Sequence, residues 1–144
     1  AQFGGGTGPF DPTLVALAEE CFVAAADPAD HVLLHGDLHH ENVLSAVREP
    51  WIVIDPKGVV GPRGYECGTY LRNRLLTEPD PVQVNACRVT QLAETLELSR
   101  AEVLRWGVAH NVLSAWWSYD GSEIAGSEAV VCAAFCAQEL GMDD

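Results

Sequence analysis

Apolar residues recur at helical spacing from Leu14 through Leu17, Ala18, Cys21, Phe22 and Ala25, the period that buries one face of a helix. Asp11 supplies an N-cap ahead of Pro12 at the first helical position, and Asp27-Pro28 closes the element. The pattern then changes. His31–Leu34 and residues 51–54 are short apolar runs of strand type. The second joins residues 42–44 across a polar, Pro-ended turn, which predicts a small β-hairpin. Pro56, Gly58, Gly61, Pro62 and Gly64 crowd residues 56–64, so that stretch is expected to be loop. Helical spacing returns afterwards. One helix is expected over about residues 65–76, and another opens at Asp80-Pro81 with Val82, Ala86, Val89, Ala93 and Leu96 on one face. Ser99 and Glu102 form a capping box for a helix reaching about Trp117, and a last helix within residues 122–141 stops at Gly141. No internal repeat is visible. The outline is α+β, mainly α.

The 144 residues suit one domain with a real core. With 48% hydrophobic and 20% charged residues, disorder and coiled coil are poor fits. The apolar runs are too short to span a membrane. The start, Ala1-Gln2-Phe3-Gly4-Gly5, lacks both a secretion signal and an initiator Met, which suggests a piece of a longer protein. Eight Lys and Arg against 21 Asp and Glu give a net charge of −13, a field that repels nucleic acid and anionic membranes and attracts small cations. The five cysteines contain no C-x-x-C pair, and Cys132 and Cys136, four apart, are expected to be buried thiols on one helix face. A reducing cytoplasm fits this usage.

The densest polar cluster is His35-Gly36-Asp37-Leu38-His39-His40-Glu41-Asn42, set between two strand-like runs, and Asp55 follows the second of them. A tight loop followed by a hairpin brings Asp37, Asn42 and Asp55 to the same end of a small sheet. Carboxylate and amide oxygens suit a hard cation such as Mg²⁺. Each of the three residues is also a common turn-former, but their joint placement argues for chemistry. A zinc site on His35 and His39 lacks the Glu of H-E-x-x-H and falls on loop rather than helix.

The spacing H-G-D-x-x-x-x-N, followed by a strand and Ile54-Asp55-Pro56, resembles the aminoglycoside phosphotransferase family, relatives of protein kinases. With Lys57-Gly58 and Gly64-Tyr65-Glu66 added, the likeness is greatest to the streptomycin kinase and hydroxyurea phosphotransferase branch. It is firm over residues 31–76 and softer over the helices. The resemblance implies a C-terminal lobe of a protein-kinase-like fold over residues 11–144, behind a glycine-rich loop at residues 1–10. It implies Asp37 as acceptor of the substrate hydroxyl proton, His35 as a support of the catalytic loop, and Asn42 and Asp55 as Mg²⁺ ligands beside ATP.

Lys57 would either offset negative charge near the phosphates or be an ordinary solvated lysine. Glu66 lies in a region that packs the loop down, with substrate contact as its other role. Asp120 and Glu123 are weaker candidates for gripping amine or guanidinium groups. Trp116 and Trp117 are expected in the core. The run Gly4-Gly5-Gly6-Thr7-Gly8 lacks the flanking strands or Gly-Lys-Ser/Thr of a phosphate loop and reads as a linker or substrate-side loop. The N-terminal lobe that covers ATP in this family is not visible, so it is the expected partner, and the fragment alone is expected to be inactive. Two functions follow: a kinase lobe acting on a hydroxyl of an aminoglycoside such as streptomycin or of hydroxyurea, or a non-catalytic module that holds a cationic ligand. A choline, homoserine or sugar kinase is the nearest rival to the first.

Overall fold

The computed structural model describes residues 3, 5–121 and 127–141. The first helix, α1 (Pro12–Ala24), begins where the sequence predicts, with the Asp11 carboxylate accepting from the amides of Thr13 and Leu14. Strand β1 (His31–Leu34) follows. The expected hairpin forms from β2 (Val43–Ser45) and β3 (Trp51–Val53), with Val43 opposite Val53 and Ser45 opposite Trp51.

Residues 56–64 are not all loop. Val59–Pro62 form a strand, β4, paired antiparallel with β1 so that His31 faces Pro62 and Leu34 faces Val59. In a two-stranded ribbon each strand needs donors on only one edge, so a terminal proline is tolerated. Gly61 permits close approach, since a Cβ there would lie 3.2 Å from Leu34 Cδ1. The proline and glycine content that reads as loop is therefore compatible with this short ladder.

The helix expected over residues 65–76 is divided. A 3₁₀ turn over Arg63–Glu66 leads into α2 (Cys67–Arg72), Asn73 leaves helical geometry, and Arg74 adopts a left-handed φ of 57° before a 3₁₀ turn at Leu75–Thr77. Helix α3 (Pro81–Leu96) starts at the Asp80 cap, but its buried face is Asn85, Arg88, Val89 and Ala93, and Val82 is 60% exposed. The Ser99–Glu102 capping box opens α4 (Arg100–Trp117), and α5 (Glu128–Leu140) ends at Gly141.

Helix α4 is the centre, with α5, α1, α2 and α3 packed on it. Its fully buried Val103, Leu104, Val108 and Ala109 meet Leu71, Leu75, Val89 and the thiols of Cys67, Cys132 and Cys136 in one core. Burial pushes the Cys67 thiol up to about 12 and that of Cys21 up to about 11; Cys87 is the exposed member of the five free cysteines. Trp116 and Trp117 do not enter the core: they are 42% and 61% exposed, and Ala115 takes the buried position beside them. Phe3 and Phe10 pack with Tyr119 at centroid distances of 5.8 and 6.0 Å, which ties the described part of the N-terminal segment to the end of α4. Among the described residues no helix is long and apolar enough to cross a membrane.

Candidate active site

The polar cluster forms a loop between β1 and a 3₁₀ turn at His40–Asn42. Gly36 turns it with φ 82°, where a Cβ would come within 2.9 Å of Val59 Cγ2. The His35 ring spans two segments. Its Nδ1 accepts from the Asp37 amide at 3.3 Å, so the proton must sit on Nε2, which donates to the Ile54 carbonyl at 2.8 Å. A second tie runs from the Lys57 amide to the His35 carbonyl at 2.7 Å. The loop carrying Asp37 and the segment carrying Asp55 are thus stitched together at two points. Asp55 itself has φ 56°, a left-handed conformation that short polar side chains tolerate.

The acidic side chains meet at one cation. Lys57 Nζ lies 2.8 Å from Asp55 Oδ2 and 3.4 Å from Asp37 Oδ2. The lysine holds the Asp55 carboxyl below the usual carboxylate range, and Asp55 in turn raises Lys57. Asn42 is buried beside them: its Nδ2 donates to the Asp37 carbonyl at 3.0 Å and lies 3.2 Å from His39 Nε2, while its own carbonyl accepts from the Ile54 amide. With both amide hydrogens facing acceptors, Asn42 keeps its side-chain oxygen for another donor or a cation. Two carboxylates already drawn to one positive charge, plus an amide oxygen, are a donor set that fits Mg²⁺.

The remaining candidates divide. Glu66 accepts the amides of His35 at 3.0 Å and Gly36 at 2.7 Å, one on each carboxylate oxygen, so it braces the loop from thirty residues away. This engagement supports the loop-packing role over substrate contact. Asp120 is exposed on a bend beyond α4, and Glu123 lies outside the described residues.

A second brace was not foreseen from the sequence. His39 Nδ1 lies 3.0 Å from Glu41, and Glu41 also receives Arg74 and Asn73 from the end of α2. His40 stacks on Tyr70 at 5.3 Å, and its amide donates to Asn73. Buried Arg88 closes the C-terminus of α2 by donating to the carbonyls of Tyr70, Leu71 and Asn73 at 3.2, 2.9 and 2.8 Å. Asn111 ties α2 to α4 through the Gly68 carbonyl. In the sequence Arg88 stands only as a charge beside Val89, and the buried face it joins also carries Asn85.

A loop carboxylate and a post-hairpin carboxylate are thus fastened to one lysine ammonium above a helical base. The chain matches, over residues 12–121, the family model described as aminoglycoside/hydroxyurea antibiotic resistance kinase, and it belongs to that family. It is 39% identical over 114 residues to a streptomycin 6-kinase of Streptomyces griseus, covering 72% of this chain and 37% of the relative. A streptomycin 3''-kinase of Klebsiella pneumoniae is 36% identical over 111 residues, covering 71% and 41%. A hydroxyurea phosphotransferase of Kitasatospora aureofaciens is 36% identical over 126 residues, covering 83% and 32%. The chain spans between about a third and two fifths of the length of these relatives. No solved structure matches.

Proposed function

We propose that this chain is the C-terminal, catalytic lobe of an ATP-dependent small-molecule kinase that phosphorylates a hydroxyl of an aminoglycoside such as streptomycin, or of hydroxyurea, and thereby confers resistance. The observation that carries it is the pairing of Asp37 with Asp55 across Lys57, over a loop whose backbone is fixed by His35 and Glu66. Asp37 would orient the attacking hydroxyl and accept its proton. Asn42 and Asp55 would hold Mg²⁺, which when bound neutralises charge on the ATP phosphates. Phosphoryl transfer asks the protein mainly for an in-line hydroxyl and a stabilised negative charge. His35 and Glu66 supply the first indirectly, by fixing the loop so that the Asp37 carboxylate does not wander. The acidic balance of the chain favours a cationic acceptor over an anionic one.

The test joins this chain to the N-terminal portion of its Streptomyces griseus relative and follows label from γ-phosphate-labelled ATP. Transfer to streptomycin or hydroxyurea that Asp37→Ala abolishes supports the proposal; transfer that survives Asp37→Ala overturns the role of Asp37. Thermal stabilisation of the chain by streptomycin, with no transfer by the chimera, would make it a non-catalytic binding module instead.

A further inference from the structure

Lys57 is the one lysine among the 144 residues, and its position is constrained at both ends. Its amide is bound to the His35 carbonyl at 2.7 Å, and its Cβ lies 3.3 Å from where a Cβ on Gly36 would stand. The side chain, thus rooted against the loop, reaches Asp55 at 2.8 Å and Asp37 at 3.4 Å. A flexible, half-exposed ammonium fixed at its base is a displaceable cation rather than a permanent structural pin.

We propose that Lys57 is a tethered counter-ion that closes the Asp37–Asp55 pair until a divalent cation displaces it, so that it sets the metal affinity of the centre. This rests on the reading of Asp55 as a metal ligand and adds a competitor to it. Two carboxylates left facing each other without a cation repel. The ammonium removes that repulsion and keeps both oriented, and it must leave Asp55 before a metal can occupy the same oxygens. Once released, the lysine remains on the same short segment, next to where phosphate oxygens would approach.

The 144-residue chain itself carries the test, with Mn²⁺ as probe and the electron paramagnetic resonance signal of free Mn²⁺ as readout. Lys57→Met should tighten Mn²⁺ binding about five- to tenfold, as expected for removing one cation that contacts two exposed carboxylates. Arg74→Met, which removes a positive charge paired with Glu41 instead, should shift affinity less than about twofold, since exposed charges farther away are screened. In the unsubstituted chain, saturating Mg²⁺ should speed acylation of Lys57 by acetic anhydride severalfold, read by mass spectrometry at this single lysine. Unchanged or weaker Mn²⁺ binding by a folded Lys57→Met, while Asp55→Asn still abolishes binding, overturns the counter-ion role and leaves the metal site standing. Mn²⁺ affinity that is indifferent to Asp55→Asn overturns the metal site and the counter-ion together.

Discussion

His110 shows how sharply one side chain can be conditioned by its surroundings. It is buried under α2, its Nδ1 has no hydrogen-bond partner among the described residues, and its ring meets Tyr65 edge-on at 4.7 Å. Burial, helped by the charge of Arg72 and opposed by Asp37, pushes its pKa down to about 4. The unfolded chain, with an ordinary imidazole, binds a proton that the folded one refuses between about pH 6.5 and 4. Stability is therefore complete above pH 6.5 and falls as pH drops through that window, by up to about 3 kcal/mol from this group. His110→Gln should flatten that part of a pH-dependent urea-unfolding series. Gly68 lies directly on this ring, where an added Cβ would be 2.2 Å from His110 Cβ. Gly68→Ala should cost about 1–3 kcal/mol in the same assay, because packed helices accommodate overfilling poorly. At this scale residue type and spacing single out Asp37, Asn42 and Asp55 as candidates, and the structure sets Asp37 and Asp55 on one lysine with Asn42 bonded to the Asp37 carbonyl. The loop-packing role of Glu66 was expected from the resemblance, but not its partners, the amides of His35 and Gly36, because they depend on where the turn before α2 passes beneath the loop.

Among elements, the caps were the most readable features. Asp11, Asp80 and Ser99 each accept a backbone amide at the start of their helix as expected, and Ser127, which the sequence pattern did not single out, does the same for α5. Ser99→Ala should lower stability by about 1 kcal/mol, measured by thermal or urea unfolding. Less readable was α2, whose six residues are too few to stand without help. Arg88 supplies it with a charged Nη1 whose hydrogens are shared among three carbonyls at the helix C-terminus, where a cation is also favoured by the dipole. Arg88→Leu should destabilise the chain by about 2–4 kcal/mol, since one buried and two partly buried carbonyls lose their donor. The amides of residues 39–42 should lose hydrogen-exchange protection more than those of α5, because Asn73 links α2 to the loop. Strand β4 escaped sequence reading for a related reason: its glycine and proline are explained only by the partner strand, which periodicity does not reveal.

For the molecule as a whole, charge and apolar surface pull in opposite directions. The net charge of −13 repels other copies and also works against compactness. Raising salt from about 10 to 200 mM screens the long-range part of that repulsion, so the melting temperature should rise by a few degrees in a calorimetric scan. The two small sheets, meanwhile, expose Leu33, Trp51, Val53 and Val60.

The distribution of sulfur gives this fold an internal clock. Cys87 stands in solvent, while Cys21, Cys67, Cys132 and Cys136 are shut inside the helical base, the last of them against Gly107 with no room for even a methyl group. A maleimide should therefore capture one thiol at once and the other four only at the rate at which helices part. Counting labels over time would report opening of the core without any substitution, and the same seclusion should spare those four from peroxide for as long as the protein stays closed.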